Sequence, residues 1–231
     1  MSLRVVITLG PSFEPIDGAR RLTNFSTGSL GAQLAEACAQ AGHSVTAYRG
    51  VGATAPFPRI DNPPVPFTTN ANLIEQLQSH PSPQAVDAVF HVAALCDYVV
   101  DAVEDGAGTT LRQNKIATSG GELWMRLKPA PKVFAHLRNI FPSARVCGWK
   151  YELNGDREAA LQKGWTQLKR YGSSACVVNG AAYGSGFGVL HPQSQNILEF
   201  EDARGLTEWL ATKWILQKGP MRVGRSDAAV T

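Results

Sequence analysis

Arg4-Val5-Val6-Ile7-Thr8-Leu9, closed by Gly10-Pro11, is the stretch on which the fold turns. Its apolar run reads as a first strand, and Gly-Pro is a strong stop. Downstream, Leu30, Leu34, Ala37, Cys38 and Ala41 recur at helical spacing, so Leu30–Ala41 reads as a helix ended by Gly42. Ser44–Tyr48 is the next strand. Strand, helix, strand in this order is the βα pattern of a largely parallel sheet.

The pattern continues along the chain. A Pro-rich loop containing Pro56, Pro58, Pro63, Pro64 and Pro66 is too dense in proline for regular structure. Asn70–Ser79 reads as a short helix, and Ala85–Ala93 as a strand apolar on both faces. Glu122–Leu127 reads as a strand and Pro131–Phe141 as a helix with proline in its first turn. Ala144–Trp149, Asp156–Tyr171 and Ser174–Val178 read as strand, helix, strand. Phe187–Phe200 reads as extended structure near an edge, and Leu206–Leu216 as an amphipathic helix. The expectation is an α/β, Rossmann-like domain over residues 1–217, a largely parallel sheet flanked by helices with an elaborated second half. Residues 218–231 lack a periodic apolar set and are expected to form a mobile tail.

Composition narrows the class. With 231 residues, 44% hydrophobic and 18% charged, the chain is long enough for a substantial core. A net charge of +3 is too small for a non-specific nucleic-acid binder, yet it permits a local basic pocket for an anion. No apolar run approaches the roughly 20 residues of a membrane span. Met1-Ser2-Leu3-Arg4 runs straight into the first strand, unlike a signal peptide. Cys38, Cys96, Cys147 and Cys176 show no paired spacing, so they read as reduced core thiols rather than zinc ligands or disulfides. A cytoplasmic soluble enzyme is the default class.

Between the first strand and the first helix lie Gly10-Pro11-Ser12-Phe13-Glu14-Pro15-Ile16-Asp17 and Asn24-Phe25-Ser26-Thr27-Gly28-Ser29-Leu30-Gly31. A turn of small residues at a helix N-terminus aims free N–H groups at one point, which suits a phosphate, and Gly28 and Gly31 allow close approach. The same Ser-Thr-Gly equally suits an ordinary N-cap at Ser26 or Thr27. It is neither the dinucleotide glycine fingerprint nor the Walker loop. Asp97, Lys150 and Asn179 each follow a strand, at the ends where open parallel sheets hold ligands. His91 reads as a hydrogen-bonded core histidine, and the other histidines form no catalytic or metal constellation. Trp149 borders the same region and is placed to stack on a base.

Several stretches together carry a family resemblance. These are Gly10-Pro11-Ser12 with Glu14-Pro15-Ile16-Asp17, Arg20, and Asn24-Phe25-Ser26-Thr27-Gly28 with Gly31. Later come Ala93-Ala94-Leu95-Cys96-Asp97-Tyr98, Lys115-Ile116 with Ser119-Gly120-Gly121, Gly148-Trp149-Lys150, and Val177-Val178-Asn179. In this order, over roughly residues 4 to 216, they resemble phosphopantothenate–cysteine ligase. Lys115-Ile116-x-x-Ser-Gly-Gly and Trp149-Lys150 look closer to its stand-alone eukaryotic form than to the fused bacterial one. Trp149 stands where that family usually has Phe, and Cys96 where a small residue is common.

The resemblance implies a Rossmann-like homodimer that couples 4′-phosphopantothenate to L-cysteine in coenzyme A synthesis, using CTP or ATP with Mg²⁺. It implies no FMN, and a separate phosphopantothenoylcysteine decarboxylase is a conceivable partner. By the same resemblance Asn24 holds the acyl intermediate and Lys115 and Lys150 stabilise the polyphosphate. Ala93, Ala94 and Asp97 bind the pantothenate portion. Gly10, Ser26, Gly28, Gly31, Trp149 and Asn179 form the nucleotide site. Arg20 reaches the substrate phosphate in the neighbouring subunit. The reaction needs no protein nucleophile, in keeping with the missing Ser, His and Cys constellations. Two alternatives share the fold. An NAD(P)-dependent oxidoreductase lacks its glycine fingerprint and Tyr-x-x-x-Lys pair, and a non-catalytic nucleotide binder has no need of Asn24, Asp97 and Lys115 together.

Overall fold

A computed structural model describes residues 2–217. Its centre is the strand quoted first, β1 (Arg4–Leu9), in which every residue after Arg4 is buried. Val5, Ile7 and Leu9 enter one core and Val6 the opposite one, the alternation of a strand covered on both faces. The chain continues through β2 (Phe13–Pro15), β3 (Arg21–Thr23), α1 (Ser29–Gln40), β4 (Ser44–Gly50), β5 (Val65–Phe67), α2 (Asn70–Gln78) and β6 (Ala88–His91). Then follow β7 (Tyr98–Asp105), β8 (Leu123–Pro129), α3 (Phe134–Ile140), β9 (Arg145–Tyr151), α4 (Arg157–Tyr171), β10 (Ala175–Asn179), β11 (Phe187–His191), β12 (Ser194–Phe200) and α5 (Ala203–Trp209). A π turn, Leu210–Trp214, extends α5.

Eight strands form one sheet in the order β12-β11-β10-β9-β6-β1-β4-β5. The pairings from β10 to β5 are parallel, and β11 and β12 add an antiparallel hairpin at one edge. From β1 the chain winds outward to β5, then returns past β1 to β6. This reversal opens a crevice beyond the carboxyl ends of β1 and β6, where open α/β sheets take ligands. Leu34 and Cys38 of α1 pack with Leu206 of α5, Leu210 and Trp214 against one face. Leu73 and Leu77 of α2 and Leu137 of α3 pack against Val6, Val89 and Val146 on the other. The Rossmann-like α/β expectation holds.

Local chemistry sets the helix ends. Thr69 accepts from the Asn72 N–H to start α2, and Asp156 from the Ala159 N–H to start α4. Gly172, at φ 57°, ends α4 in the left-handed region behind Lys169 and Arg170.

Some expectations need correction. Val65–Phe67 is a strand despite Pro66, because β5 lies at the sheet edge, where a missing N–H leaves no ladder bond broken. β6 begins at Ala88 rather than Ala85, since Pro83–Ala85 is a 3₁₀ turn. Lys150 lies within β9 and Asn179 ends β10, so both belong to strands rather than to the loops that follow. α3 starts at Phe134, three residues after Pro131, and α5 starts at Ala203, where Asp202 accepts from the Gly205 N–H. Tyr98–Asp105 carries no strand expectation, yet as β7 it pairs antiparallel with β8 in a hairpin outside the main sheet. β2 and β3 form a second small hairpin. The expected tail, 218–231, lies outside the described residues.

Candidate active site

At the end of β1 the backbone turns at Gly10, φ 79°, and α1 begins after Gly28, also at φ 79°. A Cβ on Gly10 would lie 2.7 Å from the Ala53 side chain, and one on Gly28 would lie 3.2 Å from the Gly10 Cα. The loops carrying Gly10, Gly28 and Ala53 therefore pack too closely for a side chain at either glycine, and both glycines lie in the left-handed region. A Cβ on Gly31 would lie 2.3 Å from that of Leu9, so α1 sits directly on β1. The N-cap alternative resolves against Ser26 and Thr27. The cap residue is Gly28, and no side chain caps α1. Ser26 Oγ accepts from the Gly28 N–H and Thr27 Oγ1 from the Ser29 N–H, each at 3.3 Å, shaping the turn ahead of the helix.

A polar network fixes the segment after β6. The Cys96 N–H donates to Ser12 Oγ at 2.8 Å, and Ser12 Oγ donates to Asn70 Oδ1 at 2.7 Å. Asn70 Nδ2 returns to the Cys96 carbonyl at 2.8 Å and to the Pro131 carbonyl at 3.1 Å. Ser12, Asn70 and Cys96 are buried, so these bonds hold their geometry away from water. Ala94 is paired to the loop after β1 through its N–H to the Gly10 carbonyl at 3.0 Å. The result is a rigid bracket that presents Ala93 to Asp97 at the crevice.

A cleft of about 440 Å³ opens there, lined by Ala93, Asp97, Trp149 and Lys150 among the expected residues. Lys132, Lys163, Arg170, Gln167, Phe134 and His91 also line it. Four cations, Lys132, Lys150, Lys163 and Arg170, thus line one hollow whose acidic lining residue is Asp97, and three of the four are paired with carboxylates. Asp97 pairs with Lys132 at 2.5 Å, and Glu152 pairs with Lys150 at 2.9 Å and Lys163 at 2.5 Å. The two lysines offset the cost of burying Glu152 and hold its carboxyl below the ordinary range. Such a cleft suits a polyphosphate.

A second hollow, about 430 Å³, is lined by Asn24, Ser26, Pro11, Thr23, Phe25 and Gly52. Asn24 Nδ2 donates to the Leu95 carbonyl at 2.8 Å, and Leu95 lines the cationic cleft, so this bond joins the two hollows. Gly10, Gly28, Gly31, Ala94, Arg20, Lys115 and Asn179 line neither. Lys115 is exposed on the connection between β7 and β8. Arg20 directs Nε and Nη2 to Asp17, and Nη2 also to the Ile116 carbonyl. Asn179 keeps a buried Oδ1 without a hydrogen-bond partner.

His91 is the core histidine expected, with Nδ1 2.7 Å from Thr8 Oγ1, but it also faces the cleft. Burial holds its pKa down to about 4, so it adds no charge at neutral pH. All four cysteines are free and buried, and burial pushes the Cys96 thiol up, so it stays protonated and is no nucleophile. Lys132, Lys163 and Arg170 carry no expectation from the sequence. Lys163, Thr166, Gln167 and Arg170 share one face of α4 at helical spacing, a signal legible once that helix is placed beside the crevice.

Residues 1–209 match the family model for the DNA/pantothenate metabolism flavoprotein C-terminal domain. A coenzyme A biosynthesis bifunctional protein CoaBC from Thermococcus kodakarensis is 28% identical over 176 residues, covering 76% of this chain and 41% of that protein. The chain thus spans less than half the length of that curated relative. The crystal structure of a DNA/pantothenate metabolism flavoprotein from Streptococcus pneumoniae superposes with a TM-score of 0.79 at 20% identity, covering 92% of this chain and 98% of that one. A Cab2 variant in complex with phosphopantothenate-cysteine gives 0.68 at 19% identity, covering 92% and 87%.

Proposed function

The chain belongs to the DNA/pantothenate metabolism flavoprotein C-terminal domain family, and from that premise we propose that it joins 4′-phosphopantothenate to L-cysteine for coenzyme A synthesis. The observation that carries this reading is the cationic cleft at the sheet's switch point, tied to the second hollow by the Asn24–Leu95 bond. A carboxylate is inert to an amine until its oxygen becomes a leaving group. In the proposed first step the substrate carboxylate attacks the α-phosphorus of CTP or ATP, forming an acyl-nucleotidylate and releasing pyrophosphate. The cysteine amine then attacks the acyl carbon, loses a proton and expels the nucleoside monophosphate, leaving an amide. Positioning and charge stabilisation supply the rate, which fits a site whose thiols and histidine are buried and uncharged.

In this reading Lys150, with Lys132, Lys163 and Arg170, meets the polyphosphate, and Trp149 lies against the base. Lys115 steadies charge as pyrophosphate leaves. Ala93, Ala94 and Asp97 hold the pantothenate arm, and Asn24 donates to the acyl intermediate. Gly10, Ser26 and Gly28 frame the nucleotide from the loops and Asn179 from the end of β10, while Gly31, in the first turn of α1, lets that helix sit close on β1. Among the described residues no group of three or more His, Cys, Asp or Glu gathers to hold a metal, and Asp97 and Glu152 are engaged with lysines. Mg²⁺ therefore fits as a companion of the nucleotide phosphates and water rather than as a protein-caged ion. No step is assigned to it.

A homodimer belongs to the same proposal. Every residue of β8 is exposed, including Leu123, Trp124, Met125 and Leu127, and Tyr98 of β7 and Phe25 are exposed as well. The exposed apolar side chains of β8 suit contact with a second copy of this chain. With Arg20 serving the neighbouring site, inactive Arg20→Ala and Asn24→Asp chains should regain part of the activity when mixed and allowed to exchange. The product keeps the cysteine carboxylate, so a decarboxylase, on a separate chain or otherwise, is the enzyme that would consume it. No helix among the described residues is long and apolar enough to cross a membrane, and four free thiols agree with a cytoplasmic setting.

The test is direct. With phosphopantothenate, cysteine, Mg²⁺ and CTP or ATP, the protein should form phosphopantothenoylcysteine and release pyrophosphate only when phosphopantothenate is present. An oxidoreductase would release none, and a regulator would bind nucleotide without turnover. Folded protein inactive with both nucleotides would refute the assignment.

A further inference from the structure

The side chain of Lys115 is exposed, but the main chain on both sides of it is pinned by a distant turn. The Gly18 N–H donates to the Asn114 carbonyl at 2.7 Å. The Ile116 N–H donates to Asp17 Oδ2 at 3.1 Å, and Arg20 Nη2 donates to the Ile116 carbonyl at 2.6 Å. The Ile116 side chain is buried, which anchors the same point. Asp17 is the hub. Its Oδ1 accepts the N–H groups of Ala19 and Arg20, each at 2.8 Å, and its Oδ2 accepts Arg20 Nε at 3.0 Å and Nη2 at 2.5 Å. Its side chain is fully covered. These donors, Arg20 foremost, hold the Asp17 carboxyl far below the usual carboxylate range.

Gly18 points to the same contact independently. A Cβ there would lie 2.6 Å from the Asn114 carbonyl oxygen, and Gly18 is not in the left-handed region. Glycine is required at this position by close approach, not by backbone twist.

We propose that the turn Asp17–Arg20 is a latch that sets the position of Lys115, with Asp17 a positioning residue for the activation step. The proposal rests on reading Lys115 as the cation that faces the departing pyrophosphate. An ammonium on a flexible stem is only as well placed as its Cα. The connection from Gly106 to Gly121 contains little regular structure, a bridge at Thr110 and the 3₁₀ turn Thr118–Gly120. Without the latch, Lys115 therefore loses the hydrogen bonds that fix the main chain on both sides of it and keeps only the burial of Ile116. Arg20 thereby acts within its own chain through Nε and Nη2, whichever group Nη1 meets.

The experiment compares Asp17→Asn and Gly18→Ala, each alone and each combined with Lys115→Gln, in phosphopantothenate-dependent pyrophosphate release. Displacing a catalytic group by about 1 Å costs up to roughly 10²-fold, so each single change is expected to slow activation by about 10- to 100-fold, in kcat more than in KM. In the Lys115→Gln background each is expected to add less than about 2-fold, because the residue acted upon is gone. Backbone hydrogen exchange at Ile116 should speed up in both variants. A full multiplicative loss in the Lys115→Gln background, normal activation in both single variants, or unchanged exchange at Ile116 would each overturn the latch. Should Asp17→Asn fail to fold, Gly18→Ala decides alone, since it alters no charge. Wild-type protein that releases no pyrophosphate would instead refute the proposed function, and exchange at Ile116 would still judge the latch.

Discussion

Replacing His91 with Gln should flatten the acid limb of the stability curve. His91 is buried, its Nδ1 shares a side-chain hydrogen bond with the Thr8 hydroxyl at 2.7 Å, and its ring meets the Phe134 ring edge-on at 5.6 Å between centroids. A proton would place a charge where burial excludes water, and burial accordingly lowers the pKa from 6.5 to about 4. Between those values the unfolded chain binds a proton that the folded chain refuses. The contribution of His91 is therefore fully present above about pH 6.5 and is lost as pH falls toward 4. The displacement corresponds to roughly 3 kcal/mol at its limit. Gln offers the Thr8 hydroxyl both a donor and an acceptor and does not titrate. Urea unfolding of both proteins from pH 7.5 to pH 4 is the assay. The wild-type advantage should shrink by roughly 3 kcal/mol over that range. Asp17, Asp101 and Glu152, whose lowered carboxyls also cost stability in acid, are common to both proteins and cancel in the difference. Parallel curves would refute the reasoning and place the proton on His91 in the folded state.

Lys115→Gln should lower activation by roughly 10²-fold, measured as pyrophosphate release, and near-normal release would make Lys115 a solvated loop lysine. Asn24→Asp should impair cysteine transfer more than activation, so acyl-nucleotidylate should accumulate in a quenched reaction. An equal fall in both half-reactions would leave Asn24 only its structural bond to the Leu95 carbonyl. Asp97→Asn should change unfolding free energy by less than about 1 kcal/mol, since its partner Lys132 and Asp97 itself are largely exposed, while raising KM for phosphopantothenate. A large stability loss would show the pair to be structural. Gly31→Ala should destabilise by about 1–3 kcal/mol, because its Cβ would lie 2.3 Å from that of Leu9. An unchanged melting temperature would show that α1 can move off β1 freely.

What was legible in the sequence followed short-range chemistry. Val5 to Leu9 announces a strand buried on both faces, and Leu34 and Cys38 announce the helix that covers it, because burial and periodicity are written within a few residues. Asn24 and the bracket at Ala93–Asp97 were legible as motifs. β7 was not, since Tyr98–Asp105 is apolar on neither face consistently and earns its strand only by pairing with β8. β5 was hidden by Pro66, whose missing N–H matters only for an inner strand.

The cations of the cleft and the hold on Lys115 were hidden for a different reason. Lys132 belongs to the segment before α3, Lys150 to β9, and Lys163 and Arg170 to α4, and only the order β9-β6-β1 brings these segments around one hollow. Asp17 lies 99 residues from Ile116, a separation at which no local pattern records contact. Seen alone, Asp17-Gly18-Ala19-Arg20 is an ordinary turn with a salt bridge, and an exposed pair of that kind is worth little. In the fold the same carboxylate is fully covered and takes five donors, two of them from the guanidinium and one from the far strand connection. The energetic weight of Asp17 thus comes from sequestration and from what it orders, so its loss should be read in the melting temperature as well as in the activation step proposed for Lys115.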